Sequence, residues 1–476
     1  MAKKMLRKAL VCGVLSCSLG VLSAQSAPVQ PASMHAVSVQ VVPVLMISID
    51  GMKPEYVTKA DEHGLKLPAL RTMMRSGSYA EGVVGVWPTV TYPSHTTLIT
   101  GVPPAEHGIS TNFQFDPLQC HDGAWYWYAS DIKVPTLWSA AHKAGLKTAS
   151  IGWPVSVGAR DVDDLIPEFW RYYSATTQPN PADRKMIQAM SRPESLFDEI
   201  EPAAGPYMMG NDTSVEGDEA KTRFAIEILK RHKPGLMTLH LSALDEAEHM
   251  SGPFSTESDQ TIEAIDGMVA RLEAAALASN PNAVVVVVSD HGFEPITHQV
   301  NLAIPFLKAG LVQGSENPQS HMPEVKSWQA EPWMSGGMAA VMVQDPSDAA
   351  TMQKVRTLLD GLKNDPQSGV AQVLDKTELA KRGSFPEAQF LIVLKAGYYT
   401  GNALTGDLVM PIKGSRGSHG FSPEDPQMRA SFFAVGKGIA AGRDLGVIDM
   451  RQIAPTVAGI LGVELPTAKA QPLNVK

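Results

Sequence analysis

The chain has 476 residues, 44% apolar and 19% charged, with 39 glycines and 35 prolines. That composition excludes disordered, fibrous and repeat classes and fits a large folded domain with many loops. A formal net charge of −9 argues against binding duplex nucleic acid through its phosphates.

The first residues read as a leader. Lys3, Lys4, Arg7 and Lys8 precede an apolar run from Ala9 to Leu22, then small residues at Ser23, Ala24, Ser26 and Ala27. This is the pattern of a secretory signal peptide over residues 1–27. The run is short for a membrane span and its exit is polar. A retained anchor and a lipoprotein signal at Val14-Leu15-Ser16-Cys17 are the weaker readings. Cleavage leaves 36 basic against 49 acidic residues, a net −13, and removes Cys12 and Cys17. Cys120 then stands alone, so no internal disulfide framework forms. The expected location is outside the cytoplasm, in a bacterial periplasm.

Residues 28–41 read as a flexible lead-in. Val44–Ile49 is a short apolar run ending in Asp50-Gly51, the pattern of a buried parallel strand that delivers a carboxylate at its C-terminal end. Leu67–Met74 reads as a helix. In Trp87-Pro88-Thr89-Val90-Thr91-Tyr92-Pro93-Ser94-His95, Pro93 suits the first helical turn, because a missing N–H costs nothing there. Thr91 is therefore expected at the mouth of a helix, beside unpaired N–H groups and the positive dipole end, where a phosphate oxygen is welcome.

His107–Phe113 reads as a loop and Trp125–Tyr128 as an aromatic cluster. A helix from Val134 ends at Gly145, and Lys147–Trp153 is a strand. Residues 155–215 read as an irregular insertion. Glu216–Arg231 is helical, Leu236–Leu241 a strand, and Thr256–Ser279 a long amphipathic helix. Ala283–Val288, with five consecutive valines, is a strand buried on both faces and ends in Asp290-His291-Gly292. Residues 295–415 read as a second insertion, a small α+β cap with strands at Ala339–Val343 and Phe390–Lys395 and a helix at Ser347–Leu362. A glycine-rich loop carrying His419, a strand at Phe432–Val435 and a helix at Met450–Leu461 close the chain. Alternating strands and helices predict an α/β fold with a mostly parallel sheet.

Ligands bind such sheets at the carboxyl ends of the strands. Asp50, Asp245 with His249, Asp290 with His291, and His419 all fall at that edge. Three carboxylates and three imidazoles suit zinc, with manganese as a competitor. Asp245 and His249, four apart, share one face of a helical turn. Asp290 and His291 are adjacent and serve one ion only from a bent strand end, which Gly292 permits. Divided three and three, these ligands fit two ions that clamp the attacking and leaving oxygens of a displacement at phosphorus. Metal coordination is also what turns a threonine hydroxyl into a nucleophile. His35, His63, His142, His232 and His321 lack such placement and read as surface or core residues.

Together these motifs resemble the nucleotide pyrophosphatase/phosphodiesterase family of the alkaline phosphatase superfamily. The likeness rests on Ile49-Asp50-Gly51, Pro88–His95, His107-Gly108-Ile109 with Asn112, Asp245–His249 with Gly252-Pro253, Ser289–Gly292 and Gly417–Gly420. It implies an alkaline-phosphatase-like three-layer sandwich over residues 42–470, with inserted cap segments at 155–215 and 295–415. It implies Thr91 as nucleophile, one zinc on Asp245, His249 and His419, and a second on Asp50, Thr91, Asp290 and His291. Asn112 matches the family's side-chain donor to a phosphate oxygen. Sulfatases of the superfamily need a cysteine-derived nucleophile, which this chain lacks at the threonine.

Glu248 stands where the family usually has glycine, and His240 where it often has a tyrosine that sandwiches a nucleobase. Tyr92 holds the opposing aromatic position. Tyr92, Trp153, His240 and Asn112 are the expected substrate contacts, and the Trp125–Tyr128 cluster favours an aromatic wall suited to a diester. The expected reaction is hydrolysis of a small phosphodiester or nucleotide through a phospho-threonine. Arg416, three residues before His419, keeps a phosphomonoesterase open, and phosphonate hydrolysis needs the same metals. A binding protein without turnover is the reading from another class, and the intact nucleophile and ligands argue against it.

Overall fold

The computed structural model describes residues 42–121, 123–169, 181–208, 213–316 and 323–476. The expected leader at 1–27, the lead-in at 28–41, His35 and His321 lie outside the described residues.

The centre is an eight-stranded sheet. Its order is Arg443–Asp444, Ser78–Tyr79, Phe432–Gly436, Val284–Val288, Val44–Ile49, Leu236–Leu241, Thr148–Ile151 and Asp164–Ile166. The last five are mutually parallel, and Phe432–Gly436 runs antiparallel to both of its neighbours. Because side chains alternate along a strand, the central run feeds two cores at once. Leu45, Ile47 and Ile49 pack with Ile262, Ile265 and Val269 of the helix Thr256–Ser279. Val44 and Met46 pack on the other face with Leu98 and Ile99 of the helix Thr91–Thr100 and Val457 of Ile453–Leu461. Helices thus cover both faces of a mostly parallel sheet, giving three layers.

The cap expected near 295–415 contains a four-stranded antiparallel sheet, in the order Ala330–Ser335, Met338–Val343, Phe390–Leu394, Val370–Asp375. One face of this sheet packs on the helix Ala349–Asn364 through Val355 and Leu359. The other buries Trp333, Ala340 and Leu391 with Trp87, which leads into the Thr91 segment. The cap sheet is thereby fastened beside the start of that helix.

Residues 155–215 are not irregular throughout. They supply the edge strand Asp164–Ile166 and the helices Pro181–Met190 and Leu196–Ala204. Leu196, Phe197 and Ile200 join the core beneath the helix Val215–His232. Three residues make too short a strand, and Pro202 too poor a helix position, for sequence patterning to register either element.

Candidate active site

Three adjacent strands end at one edge, and the expected residues gather there. Val44–Ile49 delivers Asp50, Val284–Val288 delivers Asp290 and His291, and Leu236–Leu241 runs into the helix Ala243–Ser251, which carries Asp245 and His249. His419 comes from the glycine-rich loop, and its Nδ1 lies 3.1 Å from the Thr89 carbonyl.

Asp50, Asp290 and His291 form one triplet whose ligand atoms lie within 4.8 Å of one another, and Asp245, His291 and His419 form a second. His291 Nε2 is 3.3 Å from Asp50 Oδ1 and 3.1 Å from Asp290 Oδ2, so His291 stands between the two. His249 was expected in the second triplet in place of His291. Its Nε2 lies 3.4 Å from Asp245 Oδ2, and its Nδ1 lies 3.2 Å from the Gly417 carbonyl, which leaves Nε2 on the side of that triplet.

Backbone geometry explains two glycines. Gly51 has φ +73°, and a Cβ there would lie 2.7 Å from the buried Glu248 carboxylate. Gly292 was expected to permit a bend, yet it is not in the left-handed region. A Cβ at Gly292 would lie 2.2 Å from the Gln427 carbonyl oxygen, so glycine is needed for close chain approach.

The residues fit divalent cations. Asp50 Oδ1, Asp245 Oδ1, Asp290 Oδ2 and both ring nitrogens of His291 are buried without hydrogen-bond partners. Buried polar atoms are seldom left so, and here they converge on the two triplets. Burial, then the charges of Asp290 and Asp245, push the Asp50 carboxyl well above its ordinary range. That concentration of negative charge is what a bound cation neutralises.

Thr91 begins its helix, preceded by Val90 in extended conformation. One turn on, His95 Nδ1 lies 2.9 Å from the Thr91 carbonyl oxygen and 3.5 Å from Asp290 Oδ2. The His419 contact to Thr89 ties the preceding residues to the other triplet. The helix start is therefore held from both sides. Its N–H groups are mostly spent: Tyr92 N–H donates to Asn112 Oδ1 at 2.9 Å, Pro93 has none, and Ser94 N–H donates to the Val90 carbonyl. The first turn thus offers less to an anion than expected. With Oδ1 committed, the Asn112 amide group is the end left to donate.

Three expected substrate contacts are corrected. Tyr92 is 1% exposed, its hydroxyl donates to Glu168 Oε1 at 2.7 Å, and its ring meets Trp125 edge-on. Trp153 is fully buried and packs edge-on against His95. His240 is 2% exposed, with Nε2 2.9 Å from Asp50 Oδ2 and Nδ1 2.9 Å from Glu168 Oε2. None of the three presents a free face to a ligand. For Tyr92 and His240 the reason is Glu168, which follows the edge strand Asp164–Ile166 and draws both inward.

Tyr92, Glu168, His240 and Asp50 form one buried chain behind the site. Burial lowers the His240 pKa, but hydrogen bonds to Asp50 and Glu168 outweigh it and lift it to about 10. Burial raises Glu168, and its bonds to His240 and Tyr92 hold it below the usual range. An imidazolium is thus clamped between two carboxylates, one of them a candidate ligand. His95, His240 and Glu248 belong to recognisable motifs in the sequence, while Glu168 and Asp218 carry no local signal. Asp218, fully buried, accepts from the Ser242 and Ala243 N–H groups and from Lys221, fixing the start of the helix that carries Asp245. Glu248 Oε1 accepts from the Tyr56 hydroxyl at 2.8 Å, on the core side of that helix. Arg416 is exposed, with its guanidinium 3.6 Å from Met250 Sδ.

A cavity of about 580 Å3 opens from Asn112, His249 and His419 and extends under the cap strand Ala330–Ser335.

The profile described as type I phosphodiesterase / nucleotide pyrophosphatase matches residues 44–422, and the chain belongs to that family. Among curated relatives, human ectonucleotide pyrophosphatase/phosphodiesterase family member 1 is 24% identical over 264 residues, 53% of this chain and 24% of that protein. The venom phosphodiesterase of Naja atra is 22% identical over 267 residues, 54% of this chain and 26% of that one. These matches span about a quarter of the relatives' length. Murine ectonucleotide pyrophosphatase/phosphodiesterase 5, solved as an inactive variant in complex with AMP, shares the fold. Its TM-score is 0.60 at 18% identity, covering 91% of this chain and 97% of that one. The human counterpart gives the same score and identity, covering 92% and 97%.

Proposed function

We propose that this chain is an exported, two-zinc phosphodiesterase that works through a phospho-threonine on Thr91. The observation that carries the reading is the pair of carboxylate–imidazole triplets sharing His291, with their orphaned buried atoms, beside the start of the Thr91 helix.

Asp50, Asp290 and His291, with the Thr91 hydroxyl, would hold one ion, and Asp245, His249 and His419 the other. Such ions supply Lewis acidity, which lowers the pKa of a hydroxyl and offsets charge on the phosphoryl oxygens. The Thr91 hydroxyl gives up its proton to solvent as Oγ forms the new bond to phosphorus and the bond to the leaving alcohol breaks, and that alcohol departs with a proton from solvent. Water then cleaves the phospho-threonine, restoring the hydroxyl and releasing a monoester. The Asn112 amide holds a non-bridging oxygen. His95 sets the helix against Asp290, and His240 sets Asp50. Family membership supports the diester or anhydride bond as the target. Exposed Arg416 lends nothing to a monoesterase reading. The basic and apolar start of the chain supports export to a periplasm.

The test compares bis(4-nitrophenyl) phosphate with 4-nitrophenyl phosphate on zinc-loaded protein. The diester is expected to turn over faster. Thr91→Ala should abolish that turnover while zinc content stays unchanged. A wide preference for the monoester, or full activity in Thr91→Ala, refutes the reading.

A further inference from the structure

The cavity meets His249 and His419, beside the second triplet, and is not lined by Asp50, Asp290 or His291. Its far wall is the cap strand Ala330–Ser335, where alternate residues Glu331, Trp333 and Ser335 share a face. Ser335 Oγ is 2.7 Å from Thr111 Oγ1, next to Asn112, so this end of the strand lies at the reaction centre. Glu331 stands four residues further along, about 13 Å away at the usual strand rise.

Two polar groups on this strand have no partner among the described residues: Glu331 Oε2 and the Trp333 indole Nε1. The Phe115 ring is tilted against Trp333 at 5.8 Å between centroids. Among the described lining residues there is no lysine or arginine, while Glu331 and Asp116 both line the cavity. A pyrophosphate leaving group would find no lysine or arginine among these described lining residues. Acid groups with aromatic walls are instead the surroundings that favour an ammonium ion.

Resting on the phosphodiesterase reading above, we infer that this cavity is a leaving-group subsite for an alcohol whose far end carries an ammonium, with Glu331 as its carboxylate partner and Trp333 and Phe115 as its aromatic walls. The spacing from Ser335 to Glu331 calls for a long spacer between phosphate and ammonium. Burial alone raises the Glu331 pKa to about 8, so a cation that restores its charge would release a proton on binding.

The test uses zinc-loaded full-length protein and pairs of methyl alkyl phosphates. In each pair the alkyl chain ends either in trimethylammonium or in the isosteric neutral tert-butyl group, with a two-carbon or a six-carbon spacer. Release of methyl phosphate is followed by phosphorus NMR. The ratio of kcat/KM within the six-carbon pair should favour the cation by about tenfold or more, the scale of a desolvated cation–π contact with a carboxylate. The two-carbon pair should show a smaller ratio. In Glu331→Gln and in Phe115→Leu the six-carbon ratio should fall toward one. Tetramethylammonium should also inhibit the wild-type protein competitively, a readout that needs no variant. A wild-type ratio near one, a preference for the neutral chain or a nucleoside leaving group, or a ratio unchanged in Glu331→Gln overturns the inference. If bis(4-nitrophenyl) phosphate is turned over while the ratio is one, this subsite alone is wrong. If no diester is hydrolysed at all, the parent reading fails first.

Discussion

At the residue scale, the chain from Tyr92 through Glu168 and His240 to Asp50 backs the candidate site from inside the core. Groups that orient a metal ligand commonly change metal affinity by about 10–100-fold when removed. His240→Leu takes away the partner of Asp50 Oδ2 and leaves Glu168 buried without its imidazole. On the proposed two-zinc site, it is expected to weaken one of two zinc-binding steps by that order, read by titration against a chromophoric chelator, with the other step little changed. Glu331 makes a separate prediction, in pH. Its carboxyl holds a proton up to about pH 8 in the folded chain, by burial, and releases it near pH 4.3 when unfolded. Between those values the native state binds more protons, so the stability contribution falls as pH rises and levels off above about 8. Glu331→Gln lacks this term. Its unfolding free energy relative to wild type should therefore rise from pH 5 to pH 8 in urea melts, and a flat difference would contradict the buried carboxyl.

At the scale of elements, the helix Ala243–Ser251 depends on a residue from another helix. Its N-cap residue Ser242 makes no side-chain cap, and Asp218 of the helix Val215–His232 accepts the Ser242 and Ala243 N–H groups instead. Lys221, also buried, pairs with Asp218 at 3.0 Å. Removing one partner of a buried pair costs about 3–5 kcal/mol. Asp218→Ala is therefore expected to lose stability on that scale in denaturant unfolding and to loosen Asp245. Asp218→Leu in combination with Lys221→Met should recover much of the loss, because no charge is then left unpaired. The helix Thr91–Thr100 depends on its surroundings in the same way. Its side chains are buried from Tyr92 to Thr100, so its position is set by the sheet and by the helix Ile453–Leu461 packed against it.

At the scale of the whole molecule, strand ends from distant parts of the sequence bring three carboxylates to one edge. Burial and mutual repulsion make that gathering costly without a cation. Chelation should lower the melting temperature, and added zinc should restore it in a concentration-dependent way, as binding to the folded state alone requires. A melting temperature indifferent to chelator would argue against the metal reading. Among the described residues no helix is long and apolar enough to cross a membrane.

Much of this centre could be read along the chain. Asp50 and Asp290 each follow an apolar run with the pattern of a buried parallel strand, and Asp245 and His249 repeat at helical spacing. Strand direction and side-chain periodicity are local properties, so those residues and their shared edge were determined by sequence. Tyr92, Trp153 and His240 were not, because whether an aromatic or imidazole faces a ligand depends on what packs over it. A short edge strand brings Glu168 across from elsewhere in the chain, and its carboxylate turns Tyr92 and His240 into buried supports. The same holds for His291, which stands between two clusters because the His419 loop folds back over it, and for the cavity, whose wall is a cap strand far along the chain. Local pattern marked the candidate ligands and the candidate nucleophile; long-range packing decided which neighbours are buried behind them and which remain open to substrate.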